Sequence, residues 1–112
     1  MAQTPERRVK AWISEWLRQE GIRYFMPVQT GYGSAGLDYF VCWHGQFVAL
    51  EAKAGTAVTA RQEAFMREIY RSGGTAWVVG SETSKDVKKE DVIGRLKDID
   101  AVIRCGEKPA DL

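Results

Sequence analysis

Two strand-like runs, Leu37–Trp43 and Gln46–Lys53, are separated only by His44-Gly45. A two-residue connection with glycine second is the mark of a tight β-hairpin. Residues across such a turn pair so that their numbers add to 89. Trp43 then faces Gln46, Cys42 faces Phe47, Phe40 faces Ala49 and Asp38 faces Glu51. Side chains alternate between faces along a strand. One face carries Asp38, Phe40, Cys42, Phe47, Ala49, Glu51 and Lys53, and the other carries Tyr39, Val41, Trp43, Val48, Leu50 and Ala52. Both are largely apolar, so the hairpin is expected to be covered on both sides.

The elements around the hairpin follow from caps and periodicity. Thr4 and Pro5 open a first helix, with Val9, Trp12, Ile13, Trp16 and Leu17 on one face and Gly21 as its stop. Ile22–Val28 reads as a strand. Thr59 begins a second helix carried by Phe65, Met66 and Ile69, which Gly73-Gly74 ends. Thr75–Gly80 reads as a short buried strand. Ser84–Asp100 reads as a polar helix, and Ala101–Cys105 as a last strand. The order is α-β-β-β-α-β with an appendage, which predicts an α/β sandwich around a mixed sheet.

With 112 residues, the chain makes one domain, 1–112, with a core over about 5–80 and an appendage over 84–105. Folding at this size hides about two-thirds of the unfolded surface. Apolar residues make up 45% and charged residues 28%, which excludes a disordered chain. The net charge of +1 excludes a basic scaffold that coats nucleic acid. Cys42 and Cys105 read as small buried thiols of a reducing compartment. Met1–Lys10 is too polar for a signal peptide, and the apolar runs are too short for a membrane span. The expectation is a cytoplasmic domain with no membrane partner.

The pairing of Asp38 with Glu51 conflicts with simple electrostatics. Like charges directly opposite on neighbouring strands are destabilising. Lys53, two residues beyond Glu51, points to the same face. Three arrangements answer the conflict: a salt-bridge cluster, a carboxyl pair sharing a proton, or a divalent-cation site. Gln62 heads the inward stripe of the second helix, although Thr59-x-x-Gln62 also reads as a capping box. Glu6 leads the inward stripe of the first helix, although an acid there also suits the helix dipole.

Other features read as decoys. Gly31-x-Gly33-x-x-Gly36 is followed by a strand and not by the helix that a dinucleotide site requires. His44 reads as a turn residue. Trp12 and Trp16 belong to a core stripe more naturally than to a base-stacking platform.

An acid in a first helix, Asp38 before a hairpin, Glu51-Ala52-Lys53 on the returning strand and Gln62 opening the next helix resemble the PD-(D/E)XK nuclease superfamily. Stand-alone VRR-NUC domains of phages and bacteria are the nearest likeness, over residues 5–80. Leu37 departs from the proline that usually precedes the aspartate. The resemblance implies a restriction-endonuclease-like αβββαβ core with a mixed central sheet flanked by helices. It implies Mg²⁺, or Mn²⁺ in its place, held by Asp38, Glu51 and the Ala52 carbonyl. Lys53 would orient the attacking water, Gln62 would position that water or the lysine, and Glu6 would complete the site.

The implied activity is metal-dependent endonucleolytic hydrolysis of DNA. The implied substrate is branched, such as a four-way junction, cut by a homodimer. Arg7, Arg8, Lys10, Arg61, Arg67, Lys85, Lys88 and Lys89 are candidates for backbone contacts. The alternatives are a non-catalytic DNA-binding or adaptor domain that keeps the fold, and a sequence-specific restriction-type enzyme. The latter needs recognition elements for which this length leaves little room.

Overall fold

Helix α1 (Pro5–Gln19) starts where Thr4 accepts a hydrogen bond from the Arg7 amide and Pro5 takes the first helical position. The computed structural model describes residues 3–28 and 37–106. The Gly31–Gly36 motif lies outside the described residues. Strands β1 (Arg23–Phe25), β2 (Tyr39–Trp43) and β3 (Gln46–Ala54) follow, then helix α2 (Ala60–Arg71), strand β4 (Thr75–Ser81) and helix α3 (Lys89–Cys105). The αβββαβ order expected of the core is the observed one, with α3 added.

The four strands form one mixed sheet in the order β1-β2-β3-β4. β1, β2 and β3 are antiparallel neighbours, and β4 runs parallel to β3. A parallel return needs a crossover, and α2 supplies it. The hairpin register is the expected one, from Trp43 against Gln46 to Tyr39 against Leu50. His44 and Gly45 both have positive φ, 48° and 80°, as a type I′ turn demands.

Helices α1 and α3 cover one face of the sheet. Val9, Ile13, Trp16 and Leu17 pack with Tyr39, Val41, Trp43, Val48 and Leu50, and with Val92, Leu96, Ile99 and Ile103. Helix α2 covers the other face, where Met66 and Ile69 meet Leu37, Ala49 and Ala76. Burial of such aliphatic side chains stabilises by about 1.5–3 kcal/mol each, which is why two helical layers hold the sheet.

Three expectations are corrected. Ala101–Cys105 is the last turn of α3 and not a strand. Ile99 and Ile103 continue the spacing set by Val92 and Leu96, so helical periodicity outweighs the β-branched composition of the run. The hairpin is not covered throughout on both sides, because Phe47, next to its turn, is 52% exposed. Cys42, opposite Phe47, is therefore exposed too, and Cys105 is exposed at the end of α3.

Candidate active site

The two helical layers meet the start of β2 from opposite sides, and there the charged residues gather. Asp38 directly precedes β2. Its Oδ2 accepts the Ala52 amide at 2.8 Å, and its Oδ1 lies 3.2 Å from Nζ of Lys10 on α1. Glu51 sits on β3 with only 4% of its surface exposed. Its Oε2 accepts the Gln62 side-chain amide of α2 at 2.9 Å and lies 3.6 Å from Nζ of Lys53. Lys53 is itself 5% exposed.

Burial comes first among the forces on Glu51, and the Asp38 carboxylate comes second. Together they push its pKa up to about 7 against the pull of Lys53. Both the side chain and the backbone of Asp38 hydrogen-bond to the Glu51 carboxyl. Glu51 therefore keeps its proton up to about pH 7 beside the Asp38 carboxylate. The salt-bridge cluster is present as well, since Lys10 and Lys53 each approach one acid.

The capping and inward-facing roles of Gln62 prove compatible. Its Oε1 accepts the Thr59 amide at 3.1 Å and closes the capping box, while its Nε2 donates to Glu51. One planar amide serves both because its acceptor and donor ends point in different directions. Glu6 stands half-buried in the first turn of α1, one turn before Lys10. Among the described residues, no three acidic, histidine or cysteine side chains gather into a metal-binding group, so Glu6 does not join Asp38 and Glu51 in one. Lys10 is the residue missed as a site member. Its signal was weak, an i, i+4 spacing from Glu6, because no pattern within α1 tells how that helix tilts against β2.

The donor set suits a hard divalent cation. Two carboxylates face one another at the rim, and their repulsion is what a cation between them would remove. The Ala52 amide points toward Asp38, and in a strand a residue's carbonyl points the same way as its amide. Ala52 can thus add a backbone oxygen.

His44 and the tail form a separate cluster at the hairpin turn. Asp100 of α3 accepts from Trp43 Nε1 at 2.8 Å, lies 2.8 Å from His44 Nε2 and pairs with Arg104. These bonds outweigh partial burial and lower the Asp100 pKa to about 2. The cluster pins α3 to the hairpin, at the opposite end of β2 from Asp38. No helix among the described residues is long and apolar enough to cross a membrane. No family model and no curated protein matches this chain.

Proposed function

We propose that this protein is a Mg²⁺-dependent DNA endonuclease, with Mn²⁺ able to replace Mg²⁺. The observation that carries the reading is the buried Glu51 facing the half-buried Asp38, with Lys53 beside it. A purely structural rim has no use for two opposed acids, one of which is held protonated to about pH 7 by burial and by the other. A phosphodiester hydrolase does, because the substrate brings a phosphate that only a cation can hold near carboxylates.

The bound cation would be held by Asp38, Glu51 and the Ala52 carbonyl, and it would withdraw charge from the scissile phosphate and lower the proton affinity of the attacking water. The chain's residues do the rest. Glu51, freed of its proton, is kept in position by the Gln62 amide. Lys53 Nζ orients the water for in-line attack and offsets charge on the phosphate oxygens. The new P–O bond forms on one side as the bond to the leaving sugar oxygen breaks on the other, and the proton that the water gives up is balanced by one that solvent delivers to that oxygen.

Branched DNA, such as a four-way junction, is the substrate favoured by the resemblance to stand-alone VRR-NUC domains. Two copies related by a twofold axis would match a symmetric junction. The compartment that goes with this reading is the cytoplasm of a bacterial or phage-infected cell. The test is incubation with linear duplex, flap and four-way-junction DNA in Mg²⁺, Mn²⁺ or EDTA. Cutting that requires the cation supports the proposal, and binding without cutting under every cation promotes the adaptor reading.

A further inference from the structure

Helix α1 reaches the acid pair at one defined point. The Tyr39 hydroxyl donates to the Lys10 carbonyl at 2.8 Å, and the same hydroxyl lies 2.7 Å from Ser14 Oγ. Tyr39 is the residue after Asp38, so the Lys10 backbone is tied to the start of β2. From that anchor Lys10 extends its ammonium to Asp38 Oδ1, at 3.2 Å. The two side chains differ in surroundings: Lys10 keeps 31% of its side-chain surface exposed, and Asp38 only 11%. Lys10 can therefore swing into water, whereas Asp38 cannot follow it.

We propose that Lys10 is an exchangeable counter-ion of the cation site. Its ammonium neutralises Asp38 in the free protein, yields that carboxylate to an incoming divalent cation, and turns to the DNA phosphate. The inference rests on the proposed cation site. Two positive charges drawing on one carboxylate repel each other, so loading the cation costs the Lys10–Asp38 pair. The released ammonium then lacks an anion, and the DNA backbone supplies one. Cation and DNA binding thereby favour each other, and the coupling must be equal in both directions. Lys53 cannot play this part, because it is only 5% exposed and its partner is Glu51, at 3.6 Å, rather than Asp38.

The test is calorimetric titration of Ca²⁺ into the 112-residue protein, alone and with a phosphorothioate four-way junction bound. In wild type, Ca²⁺ binds more tightly when the junction is present. In Lys10→Met, Ca²⁺ binds about fivefold more tightly to the free protein, since removal of a partly exposed ion pair frees the carboxylate. The further gain from the junction is then lost. Lys10→Arg keeps the wild-type behaviour, and a melting curve for each variant checks folding. Unchanged or weaker Ca²⁺ binding in folded Lys10→Met overturns the exchange, and an undiminished junction effect in that variant overturns the coupling. If wild type binds no Ca²⁺ at all, the cation site itself fails, and the exchange with it. If wild type binds Ca²⁺ and only Asp38→Asn abolishes it, the site stands whatever Lys10 does.

Discussion

Glu51 lies opposite Asp38 at the end of the β2–β3 ladder, buried, with the Asp38 side chain and amide both bonded to its carboxyl. Burial first, and the facing carboxylate second, place its pKa near 7, against 4.5 for an ordinary glutamate. The fold therefore holds a proton on Glu51 that the unfolded chain has released.

That difference makes stability depend on pH in a stated direction. Between about pH 4.5 and 7 the folded state binds more protons than the unfolded state, so stability falls as pH rises through this window. The loss amounts to roughly 3 kcal/mol and is nearly complete by about pH 8. Glu51→Gln cannot ionise, so its urea midpoint stays flatter over the same range, and the variant exceeds wild type in stability at pH 8. A wild-type midpoint that rises between pH 5 and 7 contradicts the raised Glu51 pKa.

Gly80 controls the strand beneath Lys53. It has φ of +110°, and a Cβ there would come within 2.0 Å of the Lys53 carbonyl oxygen. Backbone cannot give way as a side chain can. Gly80→Ala is expected to destabilise by about 3 kcal/mol or more and to displace Lys53. Thermal unfolding measures the first effect, and loss of DNA cutting in the protein that remains folded measures the second.

Asp100 offers the converse case. Asp100→Ala orphans the indole N–H of Trp43, which is fully buried, and removes the tie to His44. The expected cost is roughly 1–3 kcal/mol from the unsatisfied donor, with an altered Trp fluorescence spectrum. Cutting by the folded variant should match wild type, because this cluster sits at the other end of β2 from Asp38. Asp100 also adds stability that is present above about pH 3.8 and is lost as pH falls toward 2.

Much of the site was legible before any coordinates. A two-residue turn admits one register, so the opposition of Asp38 and Glu51 and the alternation that carries Lys53 to the same face follow from counting. The caps at Thr4 and Thr59 were legible because a side chain and an amide three residues on suffice to make them. What depended on distant elements was not. Exposure of Cys42 depends on how the helices cover the sheet, and the role of Lys10 on how α1 crosses it. The end of α3 was misread because Ala101–Cys105 alone has the composition of a strand, and only its register with Leu96 and Ile99 marks it as helix.

The central claim is that Asp38, Glu51 and Lys53 hydrolyse DNA with a divalent cation. The most direct measurement is the single-turnover rate of four-way-junction cleavage in Mg²⁺ for wild type, Asp38→Asn and Lys53→Ala, with EDTA as control. The account predicts Mg²⁺-dependent cutting by wild type, abolished by EDTA and slowed by about 10²-fold or more in each variant, as loss of one charge-stabilising group does elsewhere. Cutting that persists in EDTA, or at the wild-type rate in a folded Asp38→Asn protein, would contradict it.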